Sequence, residues 1–139
     1  MAQTPIVLPD AELALIQYLR GRSEITALVA SARITTVRPQ EPTYPLVLVH
    51  RVGGTALTWN AIDEAAIQID VLGEQSKQYE CNKIARTIQA CIMAIANDTV
   101  TEGVLVSASE EVGPQWIPDA VVVPPLPRYV ARYRVILHK

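Results

Sequence analysis

The chain has 139 residues, half of them hydrophobic, 19% charged, with a formal net charge of −2. That is the length of one ordinary domain, and the apolar content excludes a largely disordered chain. The near-neutral charge argues against a dedicated nucleic-acid binder, and no apolar run is long enough to cross a bilayer.

The opening MAQTPIVLPDAE has neither a basic n-region nor a continuous apolar h-region, so a cytoplasmic protein without a membrane partner is expected. Residues 1–9, with Pro5 and Pro9, read as an extended arm. Asp10 is a good N-cap for a first helix, AELALIQYLR, which Gly21 stops. A turn then leads to a predicted strand over 33–37. The prolines of RPQEPTYP (38–45) rule out a regular element, because each fixes φ and lacks a donor. LVLVHRV (46–52) reads as a buried strand and GGTALTWNAID as a long hairpin loop. In EAAIQIDVLG (64–73), Ile67, Ile69 and Val71 alternate with Gln68 and Asp70, which predicts a strand with one apolar face.

The spacing predicts a long helix over 76–97, where Cys81, Ile84, Ala85, Ile88, Ile92 and Ile95 form one stripe and Asn82, Lys83, Arg86 and Gln89 lie away from it. GVLVSASEEVG (103–113) reads as a strand, 116–123 as a further one, and PPLPR as a break. YVARYRVILHK closes the chain as a strand with Tyr129, Ala131, Tyr133, Val135 and Leu137 on one face and Arg132 and Arg134 on the other. The expected fold is therefore α+β: a single domain, 1–139, built as a two-layer sandwich. A mainly antiparallel sheet of four to five strands carries one long helix on one face, beside a short N-terminal helix.

No enzyme is expected. His50 and His138 sit outside any motif, Glu110 and Glu111 point to opposite faces of a strand, and Gly53-Gly54 is a lone pair with no phosphate-cradle pattern. Cys81 and Cys91, ten apart on one helix, point about 80° apart and sit roughly 15 Å apart along the axis, so they cannot pair there. They read as buried thiols; no metal and no cofactor is called for. Two surfaces remain. Arg51, Gln68, Asp70, Ser107, Ser109, Arg132 and Arg134 are expected to share the sheet face away from the helix, either solvated, lining a lumen or paired with a neighbouring subunit. Leu57 and Trp59 lie near a loop tip, where an aromatic either packs back or anchors an interface. Leu57, Trp59, Arg51, Arg132 and Arg134 are the candidate interface residues.

Three segments then carry a resemblance: DAELALIQYLR; ARITTVRPQEPTYPLVLVHRVGG; and AAIQIDVLGEQSKQYECNKIARTIQACI. Together they resemble the tail terminator, or tail-to-head joining, proteins of long-tailed, siphovirus-type bacteriophages. The resemblance implies a structural virion protein that forms a hexameric ring. The ring caps the tail tube, stops its polymerisation and offers its other side to the head connector or stopper in the neck, while DNA passes through the lumen without sequence-specific binding. The Pro-rich stretch AVVVPPLPRY departs from the pattern. A head-completion or stopper protein, a minor tail protein, and a small ligand-binding α+β domain are the alternatives.

Overall fold

The computed structural model describes residues 4–57, 61–121 and 123–139. Three helices are present among them: α1 (Ala11–Arg20), α2 (Ser23–Thr26) and α3 (Gln78–Met93). The strands are β1 (Ile34–Thr35), β2 (Leu46–Leu57), β3 (Ile62–Leu72), β4 (Asp98–Thr99), β5 (Val104–Trp116) and β6 (Arg128–His138). They form one six-stranded mixed sheet in the order β1-β2-β3-β6-β5-β4. Only β1 runs parallel to its neighbour, β2. The expected four to five strands thus become six, because the ends of the sheet are extended by two-residue strands too short to leave a periodic signal.

The α1 helix begins where the sequence places it. The Asp10 carboxylate accepts from the Glu12 and Leu13 N–H groups, and the Gly21 N–H donates to the Gln17 and Tyr18 carbonyls. Ala11, Ala14, Leu15, Tyr18 and Leu19 are buried, and Arg20 reaches the Ile34 carbonyl with two guanidinium nitrogens, at 2.8 and 3.1 Å, which ties β1 to the helix. The Tyr18 hydroxyl donates to the Cys91 carbonyl at 2.6 Å and joins α1 to the end of α3. In α3 the apolar stripe is buried as the spacing predicts, through Cys81, Ile84, Ala85, Ile88 and Ile92, with Ile95 buried just beyond the helix and Cys91 buried beside the stripe. Each such isoleucine contributes about 1.5–3 kcal/mol by leaving water. The helix is shorter than the expected 76–97: Ser76 and Asn97 have positive φ and sit outside it.

All three helices lie on one face of the sheet. Val47 and Val49, Ala65 to Val71 in alternation, Leu105, and Tyr129 to Leu137 in alternation join them in one core. On the opposite face a small cluster of Leu46, Leu48 and Leu72 is covered by Tyr44, from the proline-bearing segment between β1 and β2.

Three boundaries differ from the sequence reading. The expected strand over 33–37 shrinks to β1, because Ser31–Arg33 form a 3-10 turn. Among the described residues of 116–123 no separate strand forms: Trp116 ends β5, and beyond it Asp119 bridges to Leu126, inside the Pro-rich segment. The supposed hairpin loop is mostly ladder, since Gly53 to Leu57 pair with Ala66 to Ile62. A bulge between Arg51 and Gly53 absorbs one residue, and Gly54 takes φ +110°, where a Cβ would lie 2.1 Å from the Glu64 carbonyl oxygen. The glycine pair that looked like a turn is what lets the strand bend and continue.

Candidate assembly surfaces

The face of the sheet away from the helices carries Glu64 and Asp70 of β3, Glu111 of β5, and Arg128, Arg132 and Arg134 of β6. Antiparallel pairing puts Gln68 opposite Arg132, Asp70 opposite Val130, and Ser109 opposite Arg134. On this face Arg134 bridges Glu64 at 3.2 Å and also pairs with Glu111. Arg128 lies 3.9 Å from Asp70 and also donates to the Ile117 carbonyl. Arg132 is exposed and, among the described residues, donates only to Gln68, at 3.2 Å. Three arginines thus face three carboxylates here, and two of the arginines are neutralised within the subunit. Such exposed or half-exposed pairs contribute little to stability, about 0–1 kcal/mol each.

Arg51 is not on this face. It lies two residues after Val49 and opposite Ile67, so it points to the helix-covered side. There its guanidinium grips Asp63 with two nitrogens, one of them at 2.8 Å, while its backbone N–H donates to Glu12 of α1 at 2.7 Å. Asp63 is 1% exposed. The sequence grouped Arg51 with Arg132 and Arg134 by charge; strand parity separates them. Asp63 escaped notice because it sat in what read as a loop. Its position two before Ala65, on the core parity of β3, is the signal that places it inside.

Leu57 is half-buried at the end of β2, opposite Ile62. Trp59 lies outside the described residues. The arm is exposed over residues 4–7, with Ile6 57% and Val7 76% accessible, and becomes buried at Pro9. A second buried carboxylate, Asp119, is held by Arg38 at 2.8 Å and joins the two proline-bearing connections. Arg38 keeps the Asp119 carboxyl below the usual carboxylate range.

Nucleophilic chemistry finds no constellation here. Burial pushes the Cys81 thiol up to about 11, and it donates to the Val71 carbonyl. The Cys91 thiol is buried and also raised by burial. His50 Nε2 donates to the Thr36 carbonyl, and His138 is at the far end of β6. Glu110 and Glu111 do point apart: Glu110 accepts from Gln89 of α3, and Glu111 pairs with Arg134 on the other face. Among the described residues no group of His, Cys, Asp or Glu is arranged to hold a metal, and no helix is long and apolar enough to cross a membrane.

Comparison with known proteins gives a consistent picture. A family described as phage tail termination protein matches residues 7–123. A chain of a solved structure described as the virion of a native gene transfer agent (GTA) particle shares the fold with a TM-score of 0.68, covering 93% of this chain and 95% of that one at 16% identity. That likeness speaks for the fold alone. No curated protein sequence matches.

Proposed function

The chain belongs to the phage tail termination protein family, structural virion proteins and not enzymes, and from that premise we propose that it forms a ring that caps the tail tube. In this reading the ring, a hexamer, stops tube polymerisation and presents its other side to the head connector or stopper in the neck, with DNA passing through the lumen. The single domain would use its arm, residues 1–9, and the β2–β3 hairpin to reach neighbours. The family match over most of the chain carries the proposal. The geometry supports it: the helices cover one sheet face only, so a charged sheet face and an exposed arm are left for protein contacts. Head-to-tail contacts of this kind close into rings or run on as filaments.

The reading is tested by electron microscopy of lysates lacking the protein. Overlong or unjoined tails beside filled heads are expected, and Leu57→Ala with Trp59→Ala should reproduce the defect in a folded subunit. Tails of normal length joined to heads would overturn it. Leaking heads beside normal free tails would point to head completion instead.

A further inference from the structure

Most cations of this chain are held by the chain itself. Arg20 is spent on the Ile34 carbonyl, Arg22 on Glu24, Arg38 on Asp119, Arg51 on Asp63, Lys77 on Glu74, and Arg134 on Glu64 and Glu111. Lys83 and Arg86 are left over, as Arg132 is on the opposite face. Both are exposed on α3, and among the described residues neither has a carboxylate partner; Arg86 donates only to Asn82, at 2.6 Å. The nearest helical acid, Glu80, leans toward Lys77. Two uncompensated cations, three apart on one helix, lie side by side. In a chain of net charge −2 that is a local reversal of sign.

They also line a shallow surface hollow together with Arg22 and Glu24 of the α1–α2 region and Thr87, Ala90 and Cys91 of α3. Arg22 is fixed there by Glu24 at 2.9 Å and by stacking 5.6 Å above the Tyr18 ring. Glu24 is occupied by Arg22 and by the Cys91 thiol. The hollow therefore has three cations and one already satisfied carboxylate. Along α3, Tyr79, Lys83, Arg86, Ala90 and Met93 follow at spacings of four and three, so they form one outward stripe. Its ends are apolar and open: Tyr79 is 91% exposed and Met93 49%.

We propose that this hollow and stripe are a docking surface for an acidic segment of another protein, its carboxylates on Lys83 and Arg86 and its apolar side chains on Tyr79 and Met93. The charge is complementary to carboxylates, and the apolar ends suit a peptide. A DNA duplex fits less well. It is held by neutralising several phosphates along a broad basic face, whereas here two free cations sit in a shallow hollow. The inference does not depend on the ring or on the tail tube.

The test uses the whole chain and a short fluorescent peptide of glutamates interspersed with leucines, followed by fluorescence anisotropy at low salt. Binding is expected, weakening as salt rises. Lys83→Glu with Arg86→Glu should weaken it by about tenfold or more. The milder Lys83→Gln with Arg86→Gln should weaken it less, Lys83→Arg with Arg86→Lys should retain it, and Arg132→Gln on the opposite face should leave it unchanged. A thermal melt of each variant checks the fold. No binding, binding indifferent to the charge reversal, or equal binding of a peptide with glutamines in place of glutamates would each overturn the proposal. Tighter binding of a short DNA duplex than of the peptide would show a nucleic-acid surface instead.

Discussion

The Arg51–Asp63 pair offers the sharpest test of the fold's energetics. Replacing Arg51 by Met keeps most of the aliphatic stem and leaves the backbone N–H that donates to Glu12 untouched. It removes both guanidinium contacts to a carboxylate whose side chain is only 2% exposed. A stranded, fully buried carboxylate costs about 3–5 kcal/mol. The Arg51 side chain is 34% exposed, so water reaches the vacated side, and the lower end, about 3 kcal/mol, is expected. At a urea m-value of about 2 kcal/mol/M, the unfolding midpoint should fall by roughly 1.5 M. The double variant Arg51→Met, Asp63→Leu removes the charge along with its partner and should recover to within about 1 kcal/mol of the parent. Urea unfolding followed by circular dichroism measures all three. A loss under about 1 kcal/mol for Arg51→Met, or strict additivity in the double variant, would refute the reasoning.

Other expectations follow from the same structure. Arg132→Ala with Arg134→Ala should cost about 1 kcal/mol or less in a denaturant melt of the isolated subunit, because both side chains lie on the open sheet face; global unfolding would show them to be structural. Tyr133 is fully buried beneath the helices and its hydroxyl has no hydrogen-bond partner among the described residues, so Tyr133→Phe should leave stability unchanged or raise it by about 1 kcal/mol; a clear loss in the same melt would mean that the hydroxyl is satisfied. The Asp119 carboxyl is depressed below 3.8 in the folded state, so its contribution is full above that value and is lost as pH falls through the lower folded one. Asp119→Asn should therefore flatten the acid limb of a stability–pH curve below about pH 4; an unchanged limb would remove Asp119 from the account.

The sequence by itself determined what periodicity and capping can carry. The Asp10 cap and the Gly21 stop, the buried stripe of α3, and the alternation of Ile67, Ile69 and Val71 are one-residue preferences repeated at a fixed spacing, and they are read without knowing any partner. The same holds for the split of Tyr129, Tyr133 and Leu137 from Arg132 and Arg134 on β6. The family resemblance rested on that order of elements, and the match over residues 7–123 shows the family. Only the tertiary structure decided pairings. The placement of β6 between β3 and β5, and the parallel β1, depend on residues that meet across long stretches of chain. The β2 bulge shows why local reading stops short. One extra residue shifts the register after Arg51, so the glycine pair that local propensity reads as a turn becomes part of a ladder. The two buried carboxylates follow the same logic. Asp63 and Asp119 are stable inside only because Arg51 and Arg38, 12 and 81 residues away, arrive to meet them, and an ion pair is a property of two positions brought together by the fold.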